Sequence, residues 1–218
     1  LEVVMVDDCS KDRSKEIIEG YCAKYPFIKY HRLDGNKGAA VARNTALNIA
    51  SGRYVAFLDA DDVWEKDKLT RQLSHIKEKD AAFCFAAIDF INENGDCIKP
   101  RRDVKEVVDY TFLLTNTMIA TSTVVVDRNK TGKFQMPLRR GGQDYATWLM
   151  LMRTGVKAYG INEVLSHYRI TPGSLSSNKL KSIRQVWEIQ TQNENINKVR
   201  AMLNVMLFVL NALKKYFT

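Results

Sequence analysis

Three carboxylates, Asp59, Asp61 and Asp62, fall within four positions, directly after the apolar run Tyr54-Val55-Ala56-Phe57-Leu58. Carboxylates this close repel one another unless a cation or a proton intervenes. Hard divalent ions take oxygen ligands, and magnesium binds through one or two carboxylates together with substrate phosphates. The cluster therefore reads as a metal–phosphate site, with manganese or magnesium as the expected cofactor. An Asp-x-Asp triplet alone arises by chance, and an acidic loop is as readily a solvated turn. Its placement adds weight. The five residues before it read as a buried parallel strand, and ligands of open α/β sheets gather beyond the carboxyl ends of strands.

Other residues with chemical capacity stand at comparable places. Asp7 and Asp8 follow the apolar residues 1–6, and Asp144 opens a predicted helix. Asn36, Lys37 and Gly38 open another, whose free backbone N–H groups favour an anion. Arg43, about a turn and a half further on, has the fork geometry to hold a diphosphate. Each has a plainer reading: Asp8 as a turn residue, Arg43 as a surface charge, Asp144 as a helix N-cap. It is their order along the chain that argues for a site.

Alternating elements would position these groups. Residues 1–6 form a strand, a helix capped by Asp12 or Ser14 carries Ile17, Ile18, Tyr21, Cys22 and Tyr25 at helical spacing, and 28–33 is a second strand. Helix 38–50, the Tyr54 strand and helix 66–78 follow. Strand–helix alternation of this kind predicts an α/β fold with a Rossmann-like, mostly parallel sheet and flanking helices. The second half predicts a smaller mixed sheet: strand 81–91, a hairpin turn at 92–95, helix 104–114, strand 121–126, loop 133–142, a helix from Gln143, and strands 157–161 and 164–170. Helices run from about residue 180 to the end.

The 218 residues carry a net charge of +8, and the basic residues are scattered. A nucleic-acid protein concentrates them in a stripe with interleaved aromatics; attraction to a phosphorylated ligand or an anionic membrane surface fits the charge as well, and the plainest reading is a solvated basic surface. Cys9, Cys22, Cys84 and Cys97 form no Cys-x-x-Cys pair and suggest no disulfide framework, which points to a reducing cytoplasm. The apolar run 202–213 is interrupted by Asn204 and Asn211 and is too short to span a bilayer. The C-terminal helices are expected to pack on the core, on a second copy of the chain, or on the inner face of a membrane.

The motifs in order resemble a known family. Residues 4–12 (VMVDDCSKD) are similar to the VVDDGSTD segment of the GT-A glycosyltransferases of family 2, and 36–44 (NKGAAVARN) to its N-x-G-x-x-x-A-R-N. Residues 54–62 (YVAFLDADD) resemble its Y-[IV]-x-F-L-D-x-D-D, and 143–148 (QDYATW) its E-D-x-x-L-W. Tyr168-Arg169 with Ser174 to Ser177 is similar to a Y-R-x-x-x-x-S-x-S loop of bacterial members that build cell-surface polysaccharides. The resemblance spans about residues 1–181. It implies a GT-A domain over 1–180, with a nucleotide-sugar part (1–100) and an acceptor part (101–180), and a helical extension at 181–218.

The resemblance also implies an activity: a sugar moves from a nucleoside-diphosphate sugar, a UDP-sugar by expectation, to a hydroxyl of a saccharide or lipid-linked saccharide, with inversion. In this sequence Asp8 would contact the base, with Asp7 supporting the strand end, and Asp59 would lie near the ribose. Asp61 would hold the metal, and Asp144 would be the general base. Asn36, Gly38 and Arg43 join the nucleotide-sugar set; Gln143, Trp148, Tyr168 and Arg169 fall to the acceptor side. A leaving nucleoside diphosphate needs a cation as Lewis acid, and the acceptor oxygen needs a base within hydrogen-bond reach.

Departures from the pattern are specific. Cys9 stands for Gly, which is tolerable if its backbone avoids positive φ. Gln143 stands for Glu, Ala146-Thr147 for bulkier or acidic residues, and Thr171 for a His, while His167 reads as a satisfied histidine. Family members also begin with a strand and helix ahead of Leu1, carrying a P-x-Y-N-like segment, and that strand is central in their sheet. The sequence is therefore read as a fragment of a longer protein or as a truncated, inactive product, the fragment being favoured, with exposed, aggregation-prone sheet edges. Three enzyme or signalling alternatives fit worse. A receiver-type signalling module leaves residues beyond about 120 without a role, a haloacid dehalogenase-type phosphatase expects Gly-Thr after the acidic motif, and a dinucleotide oxidoreductase expects Gly-x-Gly-x-x-Gly. A degenerate sugar-nucleotide-binding protein remains the non-enzyme alternative.

Overall fold

The computed structural model describes residues 1–170 and 179–217. Strand β1 (Val3–Asp7) and β2 (Ile28–Arg32) pair in parallel through helix α1 (Ser14–Lys24), and the register sets Asp7 opposite Arg32. Helix α2 (Ala39–Ile49) packs on β1 and buries Ala40 and Leu47. This two-stranded unit is a sheet of its own.

The larger sheet is mixed and has seven strands. Its spine is β5 (Phe83–Ile91) parallel to β9 (Ala158–Arg169). Antiparallel neighbours complete it: β8 (Val125–Asp127) lies between β5 and the short β3 (Tyr54–Ala56), β4 (Val63–Trp64) and β7 (Val107–Val108) line β9, and β6 (Cys97–Arg102) closes a hairpin on β5. Strands β3, β5 and β9 thus share one direction, with β8 running against them. The smaller sheet is purely parallel and the larger one is mixed.

Several boundaries differ from those expected. The Tyr54 strand leaves its ladder after Ala56, because its partner β8 is itself three residues long. Phe57 then turns into the core while Leu58 is exposed. The predicted helix 104–114 is split: Val107 and Val108 join β9, and helix α4 (Tyr110–Leu114) starts only at Asp109, whose carboxylate accepts from the Phe112 N–H at 2.7 Å. That side-chain cap fixes the start. The predicted strand 121–126 begins instead as a 3-10 turn, Thr121–Thr123. The two strands predicted at 157–170 are one, with irregular register at Asn162 and Glu163, which sit between the Ile161 and Val164 pairings to β5.

Helix α3 (Lys68–Glu78) buries Lys68, Gln72 and Ile76 against the sheet. Helix α6 (Gln143–Met152) is buried along most of its length, with the Trp148 ring 5.9 Å from Phe57 and 5.1 Å from Phe83. Helix α5 (Arg128–Thr131) follows β8 directly. Helix α7 (Lys179–Glu188), a π-helical turn (Ile189–Asn193) and helix α8 (Lys198–Phe217) complete the fold. They dock on the core through Val186, Ile189, Ala201, Val205 and Phe208. Gly141 and Gly142 admit this approach: any Cβ at 141 would strike the Gln185 side chain, and Gly142 has φ +68° beneath Ile189.

Among the described residues β1 pairs with β2 alone and β3 with β8 alone. Between their free edges lies a slot of about 590 Å³, lined by Leu1 and Val4 on one side, Tyr54, Val55 and Phe57 on the other, and by Ala46 and Leu47 of α2. Glu2 clasps one end. Its carboxylate accepts from the Ser51 and Gly52 N–H groups and pairs with Lys29, which together hold its pKa down to about 2.

Candidate active site

The acidic loop is a tight turn, closed by the Asp62 N–H donating to the Asp59 carbonyl at 3.1 Å. Its three carboxylates are used differently. Asp59 pairs with Arg43. Asp62 accepts from the Ser122 hydroxyl at 2.6 Å and from the Arg169 N–H at 3.1 Å. Burial and the nearby Asp59 and Asp61 push the Asp62 carboxyl above the usual range, against those two hydrogen bonds. Asp61 is exposed, and among the described residues its carboxylate has no hydrogen-bond or ion-pair partner. Of the three it is the one left to take a ligand.

The 3-10 turn Thr121–Thr123 was not anticipated, and it organises the site. Ser122 Oγ accepts from the Asp59 N–H at 3.1 Å while donating to Asp62, and the Ser122 carbonyl accepts from Trp64 Nε1 at 2.6 Å and Ser166 Oγ at 3.1 Å. One residue earlier, Thr121 Oγ1 donates to Asp144 Oδ2 at 3.2 Å. A single buried turn therefore fixes the acidic loop with one side chain and Asp144 with the next. Ser122→Ala leaves one oxygen of the half-buried Asp62 carboxylate and the Asp59 N–H unpartnered, and is expected to lower stability in urea by about 1–3 kcal/mol. A change within roughly 0.5 kcal/mol, as at an ordinary surface position, would show that the loop is held by other groups.

Behind the turn, Gln72 Nε2 donates to the Thr123 carbonyl at 2.8 Å, and Gln72 Oε1 accepts from Lys68 Nζ at 2.5 Å. The Lys68 ammonium lies 4.1 Å from the centroid of the Trp64 ring. No carboxylate pairs with it among the described residues, and burial pulls its pKa down to about 7. Arg169 secures the loop from the other side: its Nε donates to the Asp61 carbonyl at 2.9 Å, and its guanidinium also binds the Asn92 and Glu93 carbonyls of the β5–β6 turn. Tyr168 packs edge-on to Phe90. Both residues therefore brace the acidic loop and hairpin. His167 bridges Asp89 and Glu65, at 2.6 and 2.9 Å, and the pair of carboxylates raises its pKa against the effect of its burial.

Asp144 lies on the first turn of α6, but the N-cap is Gly142, without a side-chain cap. The helix therefore does not require this carboxylate as its cap. Beside it, Gln143 Oε1 is buried and has no hydrogen-bond partner among the described residues. Trp148 is 1% exposed; the expectation that it meets an acceptor is corrected to a core residue that seats α6.

On β1, buried Asp7 accepts from the Ser10 N–H at 2.7 Å and the Tyr30 hydroxyl at 3.0 Å, with Arg32 nearby, and these partners hold its pKa down against burial. Asp8 accepts from the N–H groups of Lys37 and Gly38 at 2.6 and 2.8 Å. The N–H groups expected to await an anion at the start of α2 are thus engaged by a carboxylate of the chain itself. Asn36 is exposed, and Gly38 has φ +89°. Cys9, which would replace glycine without cost only if its backbone avoided positive φ, has φ +64°, a conformation that costs a non-glycine residue about 1–3 kcal/mol. Asn44 ties α2 to the 133–142 loop through both the N–H and the carbonyl of Met136, at 2.7 and 2.8 Å. Thr171 and Ser174 to Ser177 lie outside the described residues.

Among the described residues no three His, Cys, Asp or Glu side chains are grouped to hold a metal by themselves. One exposed carboxylate beside a braced loop instead fits an ion shared with substrate phosphates.

The fold is that of the GT-A glycosyltransferases. It is similar to Staphylococcus aureus TarS 1-349 in complex with UDP-GlcNAc (TM-score 0.67, 22% identity, 95% of this chain and 62% of that one). It is also similar to the mannosyltransferase PcManGT from Pyrobaculum calidifontis in complex with GDP-Man and Mn2+ (TM-score 0.65, 17% identity, 98% and 64%). The chain thus spans less than two thirds of these solved chains. The model of Glycosyl transferase family 2 matches residues 1–167, and the chain belongs to that family. It is 42% identical over 214 residues to the putative teichuronic acid biosynthesis glycosyltransferase TuaG of Bacillus subtilis, covering 98% of this chain and 85% of that protein. It is 34% identical over 193 residues (86% and 73%) to WfgD of Escherichia coli, a UDP-Glc:alpha-D-GlcNAc-diphosphoundecaprenol beta-1,3-glucosyltransferase.

Proposed function

We propose that the chain transfers a sugar from a UDP-sugar to a hydroxyl of a lipid-linked saccharide in cell-surface polysaccharide synthesis, with inversion and with Asp144 as general base. The observation that carries this reading is the shared bracket: Thr121 holds Asp144 while Ser122 holds the loop that leaves Asp61 exposed. A site for charge neutralisation and a site for proton removal are thereby fixed to one another.

The roles follow from the chemistry of each group. Asp8 and the β1 end form the base side of the donor cleft, and the Arg43–Asp59 pair borders its ribose and phosphate side. A divalent cation at Asp61 would act as Lewis acid for the departing diphosphate. Asp144 accepts the proton of the acceptor hydroxyl as that oxygen attacks the anomeric carbon. The UDP-GlcNAc and GDP-Man complexes of the structural neighbours and the Mn2+ of one of them support a nucleotide-sugar donor with a metal. The acceptor in the name of WfgD supports a lipid-linked saccharide.

Thermal unfolding with UDP or GDP, with and without manganese, tests this. At a nucleotide concentration near 100 times Kd, the stabilisation is about 2.7 kcal/mol, or roughly 5–10 °C for a chain of this size. The shift is expected with UDP and to require the metal. No shift with either nucleotide would defeat the proposal.

A further inference from the structure

Helix α8 has an inward face that the fold explains and an outward face that it does not. Inward, Ala201 is buried, Val205 and Phe208 pack on the core, Asn204 bonds Gln190 and Asn211 bonds the Thr115 carbonyl. Outward, every exposed residue between Ala201 and Leu213 is a large aliphatic one: Met202, Leu203, Met206, Leu207, Leu210 and Leu213, about half exposed each. A solvated helix carries polar residues there, and a contiguous apolar surface of this kind marks an interaction site.

The charges decide what covers it. Residues 198–217 contain no Asp or Glu; Lys198 and Arg200 are exposed at one end, and the sequence places Lys214 and Lys215 near the other. The acids just before α8 are engaged, Glu188 with Arg184 and Arg139, Glu194 with Tyr110 and Arg153. A second copy of this helix would bring lysine or arginine against lysine or arginine in either direction. An anionic lipid surface supplies the missing countercharge and an apolar layer together. No described helix is long and apolar enough to cross a membrane, so the contact is in the plane of the surface. We infer that the outward face of α8 docks the protein on anionic bilayers.

Sedimentation of the purified chain with vesicles of phosphatidylcholine, with and without phosphatidylglycerol, tests this without nucleotide, metal or turnover. It therefore stands or falls separately from the transfer reaction. The chain is expected to bind the anionic vesicles and to be released by salt. Joint Met206→Gln and Leu210→Gln is expected to weaken binding at least tenfold. Joint Lys198→Gln and Arg200→Gln is expected to weaken it roughly fivefold for each charge removed. All four positions are exposed, so unfolding temperature reports that the variants stay folded. Equal, negligible binding to both vesicle types would overturn the inference. So would a concentration-dependent dimer that Met206→Gln with Leu210→Gln dissolves, because a second copy would then cover the face.

Discussion

Asp144→Asn is expected to lower turnover by roughly two to four orders of magnitude, the range lost with a general base, with little change in donor binding. The substitution is nearly isosteric. Its amide oxygen still accepts from Thr121 Oγ1, now at 3.2 Å from the carboxylate, and α6 keeps its cap because Gly142 provides it. What disappears is an oxygen able to take a proton. A residue acting only in the transition state lowers kcat and kcat/KM together and leaves substrate binding alone. Steady-state transfer to an acceptor, set beside nucleotide binding by calorimetry, separates the two. Transfer near the parent rate would remove Asp144 as the base.

Lys68→Met is expected to abolish a rise in stability of about 2 kcal/mol between pH 7 and pH 9. Lys68 is fully buried, and its pKa falls from 10.5 to about 7 on folding. In that window the unfolded chain holds a proton that the folded chain has released, so stability climbs with pH; below 7 both states are protonated and the cost of burial is fully present. Cys84, pushed up to about 12 by burial, works in the opposite sense only above about 9. His167, raised on folding, loses stability as pH climbs through its folded value. The His167 effect is common to parent and variant and cancels in the difference, while Cys84, which feels the Lys68 charge, departs only above about 9. Methionine fills the same space but orphans Gln72 Oε1, so the absolute change at pH 7 is smaller than the slope. Urea midpoints of parent and variant across pH 7–9 measure it; parallel curves would mean Lys68 stays protonated throughout.

The first half of the fold was legible because its elements are local: alternating apolar strands and amphipathic helices announce themselves by period. So did Asp59, Asp61 and Asp62, whose spacing and strand context lie within one short segment. The bracket was hidden. Thr121, Ser122 and Thr123 read as the start of a β-branched strand, and their role in holding the loop and Asp144 comes from partners far away in sequence, at Asp62 and Asp144. Propensity cannot register a turn imposed by such contacts. Likewise Trp148 looked like a binding residue within a motif and proved to be the centre of an aromatic cluster, a matter of tertiary packing. Arg43 and Asp8 stood out in the sequence by residue type and position, but their pairing with Asp59 and with the α2 N–H groups did not, since each could equally have awaited a ligand.

The slot between β1 and β3 has a mechanical meaning. Asp7 ends a strand of one hydrogen-bonded sheet and Asp8 follows it, while Asp59, Asp61 and Asp62 follow a strand of the other. Across the divide run the Glu2 clasp, the Arg43–Asp59 pair and the Asn44–Met136 bonds. Among the described residues no backbone ladder joins the two sheets; side chains and the core around Leu47 do. A ligand long enough to touch both Asp8 and Asp61 would act as a strut, and its stiffness would become that of the cleft.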